Sequence, residues 1–175
     1  ATENLMIAAC LAKGQTVLSN CAIEPEIKDL SNFLCSIGAK IVWTGRRQVK
    51  IIGIKTFKQS NYKIMFDRIE AGTMLIAGAI NQGNLKITGI ETDILKTEIN
   101  VLKKIGAKII QKKNEIIIQG NKKIKNINIK TSPYPGFPTD LQSQLMVLLC
   151  KANKKSTIKE DIFANRFQSV SELKR

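Results

Sequence analysis

The pentapeptide Ile37-Gly38-Ala39-Lys40-Ile41 returns unchanged as Ile105-Gly106-Ala107-Lys108-Ile109. The likeness extends upstream. Ala8-Ala9-Cys10-Leu11-Ala12-Lys13-Gly14 pairs with Ala77-Gly78-Ala79-Ile80-Asn81-Gln82-Gly83, with a register slip of one residue. A fainter third copy opens at Thr139, repeats the apolar helix over Leu145 to Leu149, and reaches Val170-Ser171-Glu172-Leu173. Repeats of this length are whole supersecondary units, each burying its apolar face against the next.

The pattern inside one unit gives its elements. Thr2 and Glu3 suit the start of a helix, as cap and as dipole partner. Leu5, Ala8, Ala9 and Ala12 offer it a small-residue packing face, and Gly14 suits its end. Gln15 to Asn20 reads as a strand. Pro25 fits the first turn of a second helix, and Ile27, Leu30, Leu34 and Ile37 recur at helical spacing. Gly38 stops that helix. Lys40 to Trp43 and Gln48 to Ile54 form a hairpin around Gly45-Arg46, and Tyr62 to Met65 reads as a linking strand. The second unit follows the same order: helix Ile69 to Asn81, strand Asn84 to Thr88, and helix Asp93 to Ile105 with Leu95, Ile99, Leu102 and Ile105 on one face. A hairpin of Lys108 to Gln111 and Glu115 to Gln119 and a linking strand Ile127 to Lys130 complete it. The fold class is α/β. Both ends of the chain fall inside a repeat, which predicts an internal piece of a longer protein.

The 175 residues are 43% hydrophobic, enough to bury a core, and carry a net charge of +14 without histidine. Such a charge suits an anionic partner, although scattered lysines among Ile and Asn also fit a plain compositional bias. No apolar run reaches the length of a membrane span. Cys10, Cys21, Cys35 and Cys150 have no Cys-x-x-Cys spacing. Free buried thiols in a reducing compartment are expected, with no metal and no cofactor.

The least repetitive stretch is Ser132-Pro133-Tyr134-Pro135-Gly136-Phe137-Pro138-Thr139-Asp140. Three prolines fix a stiff, extended loop that delivers Thr139 and Asp140 to the start of the third unit's helix. Two readings stand side by side. Either residue caps the helix, or the loop holds one carboxylate in a fixed place for chemistry.

Several stretches carry a resemblance. They are Ala1-Thr2-Glu3-Asn4, Glu24-Pro25-Glu26-Ile27, Asn32-Phe33-Leu34, Asp67-Arg68-Ile69-Glu70-Ala71-Gly72-Thr73, Phe137-Pro138-Thr139-Asp140-Leu141-Gln142 and Asn165-Arg166-Phe167. In this order, from end to end, the chain resembles the UDP-N-acetylglucosamine 1-carboxyvinyltransferases, the enolpyruvyl transferases that begin peptidoglycan synthesis. The resemblance implies an inside-out α/β barrel of two domains built from six βαβαββ units, about two and a half of them in this chain. Residues 1–66 would be the last unit of the first, catalytic-loop domain, and 67–175 the first one and a half units of the second.

The implied reaction transfers the enolpyruvyl group of phosphoenolpyruvate to the 3′-hydroxyl of UDP-N-acetylglucosamine. Asp140 matches the aspartate that contacts the sugar and takes the hydroxyl proton, a role a carboxylate at hydrogen-bond distance can fill. Thr139 and Ile162 match positions lining the UDP-sugar site. Arg166 matches a basic residue near the phosphoenolpyruvate end, where a guanidinium can hold a carboxylate or phosphate; an ion pair with Glu24 or Glu26 is the structural alternative. Asp67, Arg68 and Glu70 read as junction residues. The catalytic cysteine of the family matches no residue of this chain, so none of the four cysteines takes its role, and the chain alone is expected to be inactive. The implied whole is a cytoplasmic, monomeric bacterial enzyme that meets small-molecule substrates, with no nucleic acid and no membrane.

Two rival readings fit part of the sequence. The sister transferase of the shikimate pathway shares fold and chemistry, but the Glu-Pro-Glu-Ile and Phe-Pro-Thr-Asp-Leu-Gln runs argue against it. A basic nucleic-acid-binding module would explain the charge, but aromatics are few and none alternates with a Lys/Arg cluster to make a stacking platform.

Overall fold

A computed structural model describes residues 1–175, which form two compact units, Ala1–Met65 and Phe66–Arg175.

In the first unit, helices α1 (Thr2–Leu11) and α2 (Pro25–Ser36) cover a sheet of β1 (Gln15–Ser19), β2 (Lys40–Gly45) and β3 (Gln48–Ile52). The strand order is β1-β3-β2, antiparallel throughout. Val49 and Ile51 alternate inward along β3 and meet Met6, Cys10, Ile27 and Leu34 in the core. Each such side chain contributes about 1.5–3 kcal/mol by leaving water.

In the second unit the elements recur as α3 (Arg68–Ile80), β4 (Asn84–Thr88), α4 (Lys96–Lys104), β5 (Lys108–Lys112) and β6 (Glu115–Gln119). The order is β4-β6-β5. Leu95, Ile99, Leu102 and Ile105 are fully buried against Leu75, Ile116 and Ile118.

The repeated pentapeptide sits at the same place in both units, where a helix ends and a strand begins. Gly38 and Gly106 adopt φ of 101° and 107°. The following amides reach back identically: Ala39 N–H to the Leu34 carbonyl at 2.9 Å and Ala107 N–H to the Leu102 carbonyl at 3.0 Å. This is the Schellman closure, and its left-handed residue selects glycine. Further bonds match, such as Lys58 N–H to the Ile37 carbonyl and Lys125 N–H to the Ile105 carbonyl.

The third copy follows. Strand β7 (Asn128–Lys130) pairs in parallel with β8 (Thr157–Lys159). A 3₁₀ turn, Thr139–Leu141, leads into α5 (Gln142–Leu149), and a short helix α6 (Ser169–Leu173) lies near the end. No helix is long and apolar enough to cross a membrane.

Several sequence expectations are corrected. Tyr62 to Met65 is not a strand: it has no sheet partner and is tied instead to Asp29, which accepts from the Tyr62 hydroxyl at 2.8 Å and from Met65 N–H at 3.3 Å. Helix α1 buries Met6, Ala9 and Cys10, whereas Leu5 is 54% exposed and Ala8 and Ala12 are exposed. Apolar residues surround that helix, so periodicity alone does not choose the face. Thr2 does not cap it, because its Oγ1 accepts from Ala22 N–H at 3.0 Å. The helix ends at Leu11, with Ala12 already extended, so Gly14 is not its cap. The stretch Asp93 to Ile105 divides into a 3₁₀ turn, Thr92–Leu95, and α4. Cys10 and Cys21 are buried, but Cys35 and Cys150 are exposed.

Asp67 is more than a junction residue. Its Oδ1 accepts from Ile69 N–H at 2.6 Å and Glu70 N–H at 3.0 Å, capping α3. Two ionisable side chains of this unit are taken out of water, Arg68 at 7% exposure and Glu98 at 4%. Burial pushes the Glu98 carboxyl up, opposed by its own backbone hydrogen bond and by the Arg68 charge. A raised folded-state pKa means that Glu98 costs stability as pH climbs through and above the carboxylate range.

Candidate active site

The proline-rich loop is held from several sides. Thr131, almost fully buried, donates its N–H to the Lys159 carbonyl at 2.9 Å and so anchors the loop on β8. Ser132 N–H donates to the Phe137 carbonyl at 3.0 Å, and Gly136 N–H to the Pro133 carbonyl at 2.9 Å. Phe137 is buried in the second unit's core. From α4, the Thr97 hydroxyl donates to the Pro135 carbonyl at 2.6 Å. The Arg68 guanidinium lies over the Tyr134 ring, 5.9 Å from its centre. Loop stiffness therefore has two sources, proline dihedrals and these anchors.

The loop ends in the 3₁₀ turn that carries Thr139 and Asp140, and neither residue caps a helix: the cap positions fall on Pro138 and Leu141, without side-chain bonds. The Thr139 hydroxyl instead donates to Glu160 Oε2 at 2.7 Å. Asp140 Oδ1 accepts from the Arg166 guanidinium at 2.8 Å. The ion-pair partner of Arg166 is thus Asp140, in place of the expected Glu24 or Glu26. The pair is half exposed, so solvent screening holds it to about 1 kcal/mol or less. The Arg166 guanidinium also lies 4.9 Å from the centre of the Phe163 ring.

Ile162 arrives on the turn that follows β8. Its N–H donates to Glu160 Oε1 at 2.8 Å, and Phe163 N–H donates to the same oxygen at 3.1 Å. Thr139, Asp140, Ile162 and Arg166 therefore lie in one cluster, although about twenty residues separate the two segments.

The member that sequence reasoning missed is Glu160. Within Lys159-Glu160-Asp161 it looks like any exposed charge, and no local signal marks it. Burial pushes its carboxyl up, but hydrogen bonds from Thr139, Ile162, Phe163 and Thr131 outweigh burial and hold it below the usual range. The ionised form is the one these donors favour. Their contribution to stability is present above the ordinary Glu pKa and is lost as pH falls through the depressed value.

Chemically, the cluster offers an exposed carboxylate on a stiff loop, a guanidinium against it, a fixed hydroxyl, and an apolar residue on a pinned turn. Such a set can receive a proton from a hydroxyl while an adjacent cation attracts an anion. Elsewhere, a polar cavity of about 450 Å³ lined by Gln82, Lys108, Gln119, Gly120, Asn121 and Lys122 contains none of these residues and no carboxylate.

Comparison with known proteins gives consistent matches. A family model described as EPSP synthase (3-phosphoshikimate 1-carboxyvinyltransferase) matches residues 1–175. A UDP-N-acetylglucosamine 1-carboxyvinyltransferase of Pelagibacter ubique is 70% identical over 175 residues, which is 100% of this chain and 42% of that protein. One from Geotalea uraniireducens is 48% identical over 174 residues, covering 99% of this chain and 42% of the relative. The chain thus spans well under half the length of these relatives. Among solved structures, the enolpyruvyl transferase NikO from Streptomyces tendae superposes with a TM-score of 0.84 at 23% identity, over 95% of this chain and 40% of that one. EPSP synthase from Acinetobacter baumannii gives 0.65 at 16% identity, over 95% and 40%. At such identities these two show the fold, an α/β fold of the enolpyruvyl transferase type.

Proposed function

The chain belongs to the EPSP synthase family of carboxyvinyltransferases, and from that premise we propose that the whole protein transfers the enolpyruvyl group of phosphoenolpyruvate to the 3′-hydroxyl of UDP-N-acetylglucosamine. This would be the first committed step of peptidoglycan synthesis, carried out by a cytoplasmic, monomeric enzyme. The names of the relatives at 70% and 48% identity support the substrate assignment over the shikimate-pathway sister. The observation that carries the reading is the placement of Asp140: an exposed carboxylate on an anchored loop, with no capping duty and one oxygen on Arg166.

In this reading the sugar hydroxyl meets Asp140. Its oxygen bonds to the enolpyruvyl carbon, the bond from that carbon to the phosphate oxygen breaks, and the hydroxyl proton passes to the Asp140 carboxylate. Thr139 and Ile162 line the UDP-sugar side. Arg166 serves the phosphoenolpyruvate end, where its half-exposed pair is weak enough for an incoming phosphate or carboxylate to compete for the guanidinium. Residues 1–66 are assigned to the end of the first domain and 67–175 to the start of the second, one residue from the division between the two compact units.

Amide exchange tests the placement. In the full-length protein, saturating UDP-N-acetylglucosamine is expected to slow exchange over residues 139–141 and 162–166, whereas shikimate 3-phosphate leaves both segments unchanged. Protection confined to other parts of the chain would contradict this site.

A further inference from the structure

The contacts of the cluster close into a ring. Glu160 Oε2 takes the Thr139 hydroxyl at 2.7 Å, and Thr139 precedes Asp140 in the chain. Asp140 takes Arg166 at 2.8 Å, and Arg166 lies over the Phe163 ring. Phe163 N–H returns to Glu160 Oε1 at 3.1 Å, beside Ile162 N–H at 2.8 Å. One carboxylate thus joins the two segments that carry every expected site residue. Without it the two turns keep the Thr131 N–H bond to the Lys159 carbonyl at 2.9 Å, which holds the loop's far end, the half-exposed and weak Asp140–Arg166 pair, and the Ser143–Ser169 hydroxyl contact at 3.3 Å.

We propose that Glu160 is a positioning residue for the reaction: its two oxygens set the distance between the Thr139–Asp140 turn and the Ile162–Arg166 turn, and so the geometry of the carboxylate against the guanidinium and the sugar. The inference rests on the reaction assigned above. The role is indirect: Glu160 acts through Thr139, Ile162 and Phe163, whose donors its two oxygens hold. The Thr139 hydroxyl and the Ile162 and Phe163 amides, with the Thr131 hydroxyl beside them, specify the place of this side chain closely, and its depressed pKa is consistent with that load. Geometry of this kind matters because a misplacement of about 1 Å can cost about 10²-fold in rate.

The substitutions separate positioning from mere support. Glu160→Gln retains one oxygen for the two amides and turns an NH₂ toward the Thr139 hydroxyl, which can accept as well as donate. Glu160→Ala removes both ties. In the full-length enzyme, turnover per folded molecule is expected to fall about 10- to 100-fold in Glu160→Ala and to stay within about threefold of wild type in Glu160→Gln. Thr139→Val, which removes the hydroxyl that Glu160 receives, is expected to fall in the same direction. Combining Glu160→Ala with Thr139→Val should cost little beyond Glu160→Ala alone, since both cut one link. If Glu160→Ala does not fold, Glu160→Asp carries the test: its shorter side chain cannot hold the Thr139 hydroxyl and the two amides together, so turnover per folded molecule is expected to fall about 10-fold, and wild-type turnover in it overturns the proposal. Wild-type turnover in a folded Glu160→Ala enzyme, or full additivity in the double variant, overturns it as well. A wild-type protein that releases no phosphate from phosphoenolpyruvate and UDP-N-acetylglucosamine overturns the assigned reaction itself, a result separate from either of these.

Discussion

Asp140→Asn in the full-length enzyme is expected to lower kcat by about 10²–10⁴-fold, the usual contribution of a general base, with the melting temperature almost unchanged. The structural side of that expectation comes from what Asp140 does not do. It makes no capping bond to a helix, so the roughly 0.5–2 kcal/mol that a lost cap costs does not apply. Its one bond is to Arg166, in a half-exposed pair, and the amide oxygen of Asn can still accept from that guanidinium. What Asn cannot do is take a proton from a hydroxyl. Steady-state phosphate release and a thermal melt on the same preparation check both halves. Turnover near wild type would remove Asp140 from the catalytic role.

Gly72→Ala is expected to damage stability and the site together. An added Cβ would lie 2.4 Å from Leu141 Cδ1 and 3.3 Å from Cδ2. Leu141 is fully buried and cannot swing aside into solvent. Two terms oppose each other. Alanine in place of glycine within a helix gains up to about 1 kcal/mol, whereas overpacking a core costs typically about 1–3 kcal/mol. The second wins, because the nearest atom lies inside ordinary contact distance by more than 1 Å. Leu141 is the last residue of the turn that carries Thr139 and Asp140, so the displacement reaches the carboxylate, and turnover per folded molecule falls by up to about 10²-fold. Gly78→Ala is the control. Its Cβ would meet Ile118 Cγ2 at 2.7 Å on the same helix, away from that turn. A comparable loss in melting temperature is expected there, with normal turnover per folded molecule. Equal effects of the two substitutions on turnover would break the link between Gly72 and the site.

What could be read from the chain follows from which interactions are local. The repeat was legible because Gly38 and Gly106 are required by a left-handed backbone at the helix ends, and such a need leaves its letter in the sequence. The amphipathic face of α4 was legible for the same local reason. The buried face of α1 was not, since apolar residues surround it and only packing decides. Tyr62 to Met65 has strand-like letters, but a strand needs a partner and this segment has Asp29 instead. In the site, the stiffness of the proline loop was readable, but the duty of Asp140 was not. A cap and a base carry the same residue at the same spacing, and Arg166, 26 residues away, settles which contacts form. Glu160 was invisible because its donors come from both sides of the cluster, two amides just ahead of it and the hydroxyls of Thr139 and Thr131 well behind it.

The reaction itself is tested most directly by phosphate release from phosphoenolpyruvate by the full-length enzyme, with either UDP-N-acetylglucosamine or shikimate 3-phosphate as acceptor. Release that saturates with UDP-N-acetylglucosamine, is absent with shikimate 3-phosphate, and collapses in Asp140→Asn is the predicted result. Release driven by shikimate 3-phosphate, or equal release with and without Asp140, would contradict it.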